Sequence, residues 1–250
     1  YCYRCPFGLD VEDCGYKCLE YLDWKVERES CDELCAVITE PYQGGAGSII
    51  PPQGWFEGLD KWIKSRDMYF IFDEVQSSFG RTGTMFAMEH WDIKPDLITL
   101  GKGLGSGIPC SAVLGTSEIM DVLPPGSMGS TNGGNPMSTR AALAAINIIE
   151  DENLVENSAT MGEHFRERFE AIAAEHEELG DIRGMGLVWG LEFVKDAESR
   201  EPDPELALEL DEVEEEAFEA AEPLVEPVDL EADLIDGRQL VADSGEPGLL

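Results

Sequence analysis

The chain has 250 residues, 43% of them hydrophobic, and a net charge of -35 from 52 acidic and 17 basic side chains. That length suffices for one large or two modest domains with folded cores. The charge argues against nucleic acid or an anionic membrane as a partner, since a phosphate-rich surface would repel it. No stretch is long enough to span a bilayer and no signal peptide is recognisable, so the cytoplasm is the expected compartment. Residues 197–250 hold 19 acids and 2 bases, which leaves -18 on residues 1–196. Body and tail are thus both acidic, as in proteins that stay soluble in concentrated salt. A halophilic source is expected.

In chain order, residues 1–30 are mixed and cysteine-rich, with a short helix expected over Cys18–Arg28. Six of the seven cysteines lie within the first 35 residues, and Cys2, Cys5, Cys14 and Cys18 have a spacing that could hold zinc. The intervals are irregular and no histidine is near, so reduced thiols and no metal are expected. Cys35–Thr39 reads as a strand stopped by Glu40-Pro41. Gly44-Gly45-Ala46-Gly47 is a loop, and Trp55, Leu59, Trp62 and Ile63 mark a helix over residues 54–66. Those tryptophans read as core or interface residues.

Met68-Tyr69-Phe70-Ile71-Phe72 is a second strand, ending in Asp73-Glu74-Val75-Gln76. A loop with Gly80 and Gly83 leads to a short helix near Met85–His90. Leu97–Leu100 is a third strand, followed by Gly101-Lys102-Gly103, and Ser111–Leu114 a fourth. Strands alternating with helices predict a parallel sheet in an α/β fold, whose ligands bind at the carboxyl ends of the strands. Glu40, Asp73 and Lys102 all occupy such ends. An amine able to form a Schiff base, beside a carboxylate able to pair with a pyridinium nitrogen, is what pyridoxal phosphate chemistry requires. An amine desolvated at a sheet edge would also be the better nucleophile.

Downstream, the glycine-rich turn of residues 126–136 precedes a helix over Ser138–Ile149 and another over Asn153–Ala174. Residues 182–193 read as a glycine-interrupted strand pair in a smaller domain. From 197 the chain has one aromatic, Phe218, and no lysine; it is expected to be largely disordered, with a helix from Glu205 to Ala221. Three regions follow: 1–140 in a large domain, 141–196 in a small one, and 197–250 as an acidic tail. Arg81 reads as a structural ion-pair residue and Glu74 as a hydrogen-bonded support. His90, His164 and His176 are given no chemistry. The glycine repeat from Gly101 to Gly107 lacks the spacing of a nucleotide loop.

Taken together, Glu40-Pro41-Tyr42-Gln43-Gly44, Phe72-Asp73-Glu74-Val75-Gln76 with Gly80-Arg81-Thr82-Gly83, Pro95 to Lys102, Gly129 to Pro136 and Gly184-Met185-Gly186-Leu187 resemble the class III, pyridoxal-phosphate-dependent aminotransferases. That group includes 4-aminobutyrate, ornithine and acetylornithine aminotransferases, and Phe79–Gly83 with Met85–His90 is most similar to the 4-aminobutyrate branch. The resemblance covers residues 1–196. It implies fold type I, with part of a large-domain parallel-type sheet covered by helices on both faces and part of a small carboxyl-terminal α+β domain. It implies pyridoxal 5'-phosphate as cofactor, with Lys102 as the Schiff-base lysine. Asp73 would pair with the ring nitrogen, Val75 pack on the ring and Gln76 reach its hydroxyl. Thr131 would hold the cofactor phosphate of the neighbouring subunit in a homodimer, and Glu40 would line the substrate pocket.

The implied reaction is ping-pong transfer from an ω-amino acid to an oxo acid such as 2-oxoglutarate. Amino-acid racemisation on the same scaffold is the other enzymatic reading. Two family parts, the phosphate-cradling loop and the aromatic that stacks on the ring, would lie upstream of Tyr1, and the family's arginine opposite Glu40 has no counterpart. Ser78 stands where the family usually has glycine. The chain therefore reads as the carboxyl-terminal half of a longer protein: a truncated, frameshifted or split gene product, half of a two-chain enzyme, or a non-catalytic remnant.

Overall fold

The computed structural model describes residues 1–31 and 33–210. Residues 1–202 form one compact unit and 203–250 a second. Of the second, residues 204–210 are helical; the rest of the helix expected to Ala221, and most of the acidic tail, lie outside the described residues.

The first unit opens with helix α1 (Lys17–Glu29) and strand β1 (Ala36–Thr39). Helix α2 (Trp55–Lys64) follows, with Phe56, Leu59 and Ile63 on its buried stripe and Lys61 and Lys64 in its last turn, where they oppose the helix dipole. Strands β2 (Tyr69–Asp73), β3 (Leu97–Leu100) and β4 (Ala112–Gly115) complete a four-stranded sheet in the order β1-β2-β3-β4. The first three are parallel, with Ile38 level with Ile71 and Ile71 with Leu97. This is the expected α/β class, with one difference: β4 runs antiparallel to β3. A parallel return needs a crossover element. Between β3 and β4 the chain has only a single 3-10 turn, Lys102–Leu104, so it comes straight back.

The main core sits where α2 covers this sheet. Phe56 meets Trp91 edge-on at 4.7 Å and Phe72 at 5.0 Å between ring centroids, and Phe70 stands 5.5 Å from Phe72. Such tilted pairs add to the burial of the rings themselves. Phe70 and Phe72 point to this core because alternate strand residues share a face. The opposite face bears Ile38 and Tyr69, 58% and 49% exposed.

A short helix α3 (Ser117–Met120) precedes α4 (Pro136–Asp151) and α5 (Leu154–Ala173). Asn135 caps α4 by accepting from the Ser138 amide at 3.0 Å, and Pro136 begins it. Strands β5 (Leu179–Met185) and β6 (Val188–Phe193) form a separate antiparallel hairpin packed on α5. Arg183 pairs with Asp181 at 2.7 Å and Glu192 at 3.0 Å within that hairpin, donates to the Gly47 carbonyl at 2.8 Å, and reaches the amino terminus through the Tyr1 hydroxyl at 3.2 Å. Tyr1 donates to Glu192 at 2.8 Å and Arg4 pairs with it at 2.5 Å.

All seven cysteines are free thiols, and among the described residues no three His, Cys, Asp or Glu are placed to hold a metal. No helix among them is long and apolar enough to cross a membrane.

Candidate active site

The site lies at the carboxyl edge of β1, β2 and β3. Asp73 ends β2 level with Thr99 of the neighbouring parallel strand, and Lys102 follows three residues beyond Thr99. Adjacent strands thus bring the two charged groups to one edge. Asp73 Oδ1 accepts from the Thr99 hydroxyl at 2.9 Å and the Val75 amide at 3.1 Å. These bonds fix the carboxylate's orientation and leave Oδ2 unengaged among the described residues. Val75 lies against Gly101, where a Cβ would come within 3.2 Å of its methyl. Glu40 leaves β1 at the same edge and accepts from the Gly44 amide at 3.1 Å. Gly44 in turn lies against the Gln76 side chain, which a Cβ would overlap.

Beside this edge is a cavity of about 670 Å³, lined among others by Tyr42, Gln76, Arg81, Lys102, Ser158 and Trp189. Ser48, Phe79, Lys102 and Ser106, also on its wall, all have positive φ (55, 61, 40 and 45°). That backbone region is costly for residues with a Cβ and is concentrated at functional sites. Burial pushes the Tyr42 phenol up to about 12, against the pull of the Arg81 cation.

Of the residues singled out from sequence, Lys102 and Gln76 line this cavity. Asp73, Val75 and Glu40 stand along the adjoining sheet edge. Thr131 is exposed in a segment, 126–134, in which every residue is exposed. The sheet-edge desolvation expected for Lys102 is absent, because its side chain is exposed. Arg81, expected in an ion pair, makes none among the described residues. Glu74 is the support it was expected to be. It is fully buried and accepts from the amides of Ala87 at 3.1 Å and Met88 at 2.8 Å and from the Ser77 hydroxyl. Burial raises its carboxyl above the ordinary range, and those three donors pull it back. Ser78, in the family's glycine position, is buried and donates to the Glu74 carbonyl at 2.7 Å. Tyr42, Ser158 and Trp189 were not singled out as site residues. Tyr42 lies within a recognised motif, whereas Ser158 and Trp189 arrive from α5 and β6 with no local signal.

The family model for class III aminotransferases matches residues 3–220. The chain belongs to the class III aminotransferase family. The leucine/methionine racemase of Thermococcus litoralis is 44% identical over 201 residues, covering 80% of this chain and 45% of that protein. The probable 4-aminobutyrate aminotransferase of Bacillus subtilis is 37% identical, covering 81% of this chain and 47% of that protein. Among solved members, the taurine:2-oxoglutarate aminotransferase of Bifidobacterium kashiwanohense, in complex with PLP and glutamate, superposes with a TM-score of 0.70 at 32% identity. The match covers 74% of this chain and 42% of that one. The chain thus spans about half the length of the curated relatives it matches.

The edge residues fit the ring-and-aldehyde cofactor that the sequence resemblance implies. Asp73 offers a free acceptor oxygen on a braced carboxylate. Gly101 lets the chain pass close by Val75. Lys102 offers an amine that forms no ion pair among the described residues.

Proposed function

We propose that this chain supplies the lysine and the ring-nitrogen partner of a pyridoxal 5'-phosphate-dependent aminotransferase. The reaction moves the amino group of an ω-amino acid such as 4-aminobutyrate to an oxo acid such as 2-oxoglutarate. The observation that carries this reading is the placement of Asp73 at the end of β2 and of Lys102 just after the end of the neighbouring parallel strand β3, at one sheet edge. The cofactor supplies an aldehyde for the substrate amine and a protonated ring that draws electrons from the substrate carbon. Asp73 Oδ2 would hold the proton on the ring nitrogen, and the bonds from Thr99 and Val75 to Oδ1 fix the orientation of the carboxylate. With the cofactor held there, Lys102 Nζ would take the proton from the substrate carbon and return it to the cofactor's former aldehyde carbon, two bonds away across the nitrogen. Val75 packs on the ring, Gln76 donates to its hydroxyl, and Glu40 borders the substrate. Thr131 serves the phosphate of a neighbouring subunit, which makes the working form a homodimer. It acts in the cytoplasm of an organism adapted to concentrated salt, and the shared site is completed by chain equivalent to the other half of its relatives.

The test is a pyridoxal 5'-phosphate titration in high salt, followed by borohydride reduction and peptide mapping. A stable adduct on Lys102 is expected. A folded chain that gives adducts spread over surface lysines and none on Lys102 would overturn the reading. Racemisation is the second reading, favoured by the 44% identity to the Thermococcus litoralis racemase. Accumulation of pyridoxamine phosphate with amino substrate alone marks transfer. Exchange of the α-proton without it marks racemisation.

A further inference from the structure

Six of the seven cysteines fall in the first 35 residues, and none of them lines the Lys102 cavity. All are free thiols, with Cys2 exposed and Cys5 half-buried. Cys2–Arg4 is a 3-10 turn, and Cys5 is the residue that ends it. In such a turn the side chains of residues i and i+3 eclipse, and three steps of about 2.0 Å set the two Cα atoms roughly 6 Å apart. A disulfide spans Cα separations of roughly 4.4–6.8 Å. The turn therefore stacks Cys2 and Cys5 at a distance that one S–S bond closes with little backbone movement.

The turn is held from outside. Tyr1 donates to Glu192 at 2.8 Å, and Arg4 pairs with Glu192 at 2.5 Å. Arg4 also donates to the Arg200 carbonyl at 2.7 Å, and Arg200 donates to the Tyr3 carbonyl at 2.7 Å. Residues beside and between the two cysteines are thus anchored, and neither thiol is spent in doing so. Two thiols held in place meet at a high effective concentration, so a bond between them outcompetes one to a second molecule.

The two sulfurs differ in reactivity. Backbone hydrogen bonds from Leu9 and Phe7 hold the Cys5 thiol below its ordinary value. Partial burial pushes the Cys2 thiol up, and the Cys18, Cys14 and Cys5 sulfurs around it add to the push. The thiolate is the reactive form, which makes Cys5 the nucleophile of the pair. Cys14 and Cys18 are engaged elsewhere. Cys14 donates to the Val11 carbonyl at 3.5 Å, and the Cys18 sulfur accepts from the Trp55 indole at 3.1 Å. In a reducing compartment such a dithiol is a transient, redox-responsive element and not a permanent staple.

We propose that Cys2 and Cys5 form a thiol–disulfide pair, oxidised by a small-molecule disulfide of the glutathione class and restored by thiols. The Cys5 thiolate attacks one sulfur of that disulfide, forms a mixed disulfide and expels the other half as a thiolate. The Cys2 sulfur then attacks the Cys5 sulfur and expels the second half. The pair gives up two electrons and two protons, and the small disulfide becomes two thiols. The exchange uses no residue of the sheet edge, so it stands or falls apart from the aminotransferase reading.

The test is equilibration of the full chain with reduced and oxidised glutathione in high salt, followed by acid quench, alkylation and peptide mapping. Oxidised glutathione should remove two of the seven free thiols, Cys2 and Cys5, and dithiothreitol should restore both. In the reduced chain, iodoacetamide at pH 7 should label Cys5 roughly tenfold faster than Cys2. C2S should stop with one glutathione on Cys5, and C5S should lose both the disulfide and the fast-labelling thiol. The double variant C14S/C18S should oxidise as wild type does. Cys2 and Cys5 that stay reduced in excess oxidised glutathione, in a chain shown to be folded by circular dichroism, overturn the proposal. So does Cys2 paired with Cys14 or Cys18, or a wild-type chain that stops at the mixed disulfide. One zinc ion held by the four thiols Cys2, Cys5, Cys14 and Cys18, and shielding them from alkylation, overturns it as well.

Discussion

Residues 73–91 and residues 126–135 both carry family motifs, and they are built in opposite ways. In the first, four polar side chains turn inward: Glu74, Ser77, Ser78 and Thr82 are all buried. Their partners belong to the same segment, and its Arg81 carbonyl is held by α5 and by the β5–β6 turn. In the second, residues 126–134 are all exposed and bond locally, as Ser127 does to the Pro124 carbonyl at 2.7 Å and the Gly133 amide to the Ser130 carbonyl at 3.2 Å. The first segment takes its shape from this chain alone. The second leaves the Ser130, Thr131 and Asn132 side chains without a hydrogen bond among the described residues, open to something outside it. The buried segment should therefore respond to mutation through stability, and the exposed one through binding.

The largest effect tests the edge that the buried segment supports. Asp73→Asn keeps the shape but replaces a charge with a neutral amide, so the ring proton loses its counter-charge. The expected loss is roughly a thousandfold or more in the rate of amino transfer, in the range of a lost electrostatic contact in a preorganised site. Single-turnover absorbance with the Lys102 adduct intact is the measurement. Unchanged turnover would remove Asp73 from the chemistry.

Gly186→Ala should disturb the loop at Arg81–Gly83, which packs directly on Gly186. The residue has φ +55°, and a Cβ there meets the main chain of Thr82, Gly83 and Arg81. Positive φ and steric overlap with backbone add, so a loss of about 3 kcal/mol or more is expected from urea unfolding. An equivalent Ala at Gly134, also at positive φ (+64°) but with open space around it, should cost about 1 kcal/mol. Equal losses would mean that the two segments do not differ as described.

How much of this was legible in the sequence depends on the range of the interaction. Strands ending at Thr39, Asp73 and Leu100 follow from apolar runs cut by Pro, acid or Gly, signals that lie within a few residues. The placement of Asp73 and Lys102 at one edge follows from that pattern plus the parallel rule. The cavity was not legible. Ser158, Leu187 and Trp189 reach the cavity wall from more distant parts of the chain, and no local pattern reports such a meeting. The direction of β4 was missed because its apolar run reads the same either way, whereas the short connection from β3 decides it. The ion pair expected of Arg81 failed for a related reason, since whether an acid lies within reach is a property of the fold.

Glu74→Ala should cost about 2 kcal/mol, because it leaves the Ala87 and Met88 amides without their acceptor inside the protein. A second carboxylate gives the pH counterpart. Burial alone would raise the Glu192 carboxyl, but hydrogen bonds from Tyr1, Arg4 and Arg183 outweigh it and hold it below the ordinary range. A depressed folded value means that stabilisation is fully present above the unfolded value, about 4.3, and is lost as pH falls through the folded one. Wild type should therefore exceed Glu192→Gln in urea midpoint at pH 6, with the gap closing below about pH 4. Glu74 has the opposite sign: its raised value means the folded state gives up its proton late. Its charge becomes a burden on stability as pH rises from the unfolded value toward the folded one. No gap between wild type and Glu192→Gln at pH 6, or a gap that does not change with pH, would show that the Tyr1–Arg4–Arg183 cluster does not hold the carboxylate.

The smallest effect on stability belongs to Thr131, and there a small number is the informative result. Thr131 is exposed and makes no side-chain bond among the described residues, so Thr131→Ala should change the unfolding free energy by no more than about 0.5 kcal/mol. If the hydroxyl serves a phosphate across a subunit boundary, the same change should weaken pyridoxal 5'-phosphate binding by about tenfold in the dimer and leave any monomer unaffected. A titration at protein concentrations on either side of the dimer midpoint separates the two. Loss of affinity at every concentration would place Thr131 in its own subunit's site, although Thr131 does not line the Lys102 cavity. No loss at any concentration would leave the exposed segment without the partner that its openness invites.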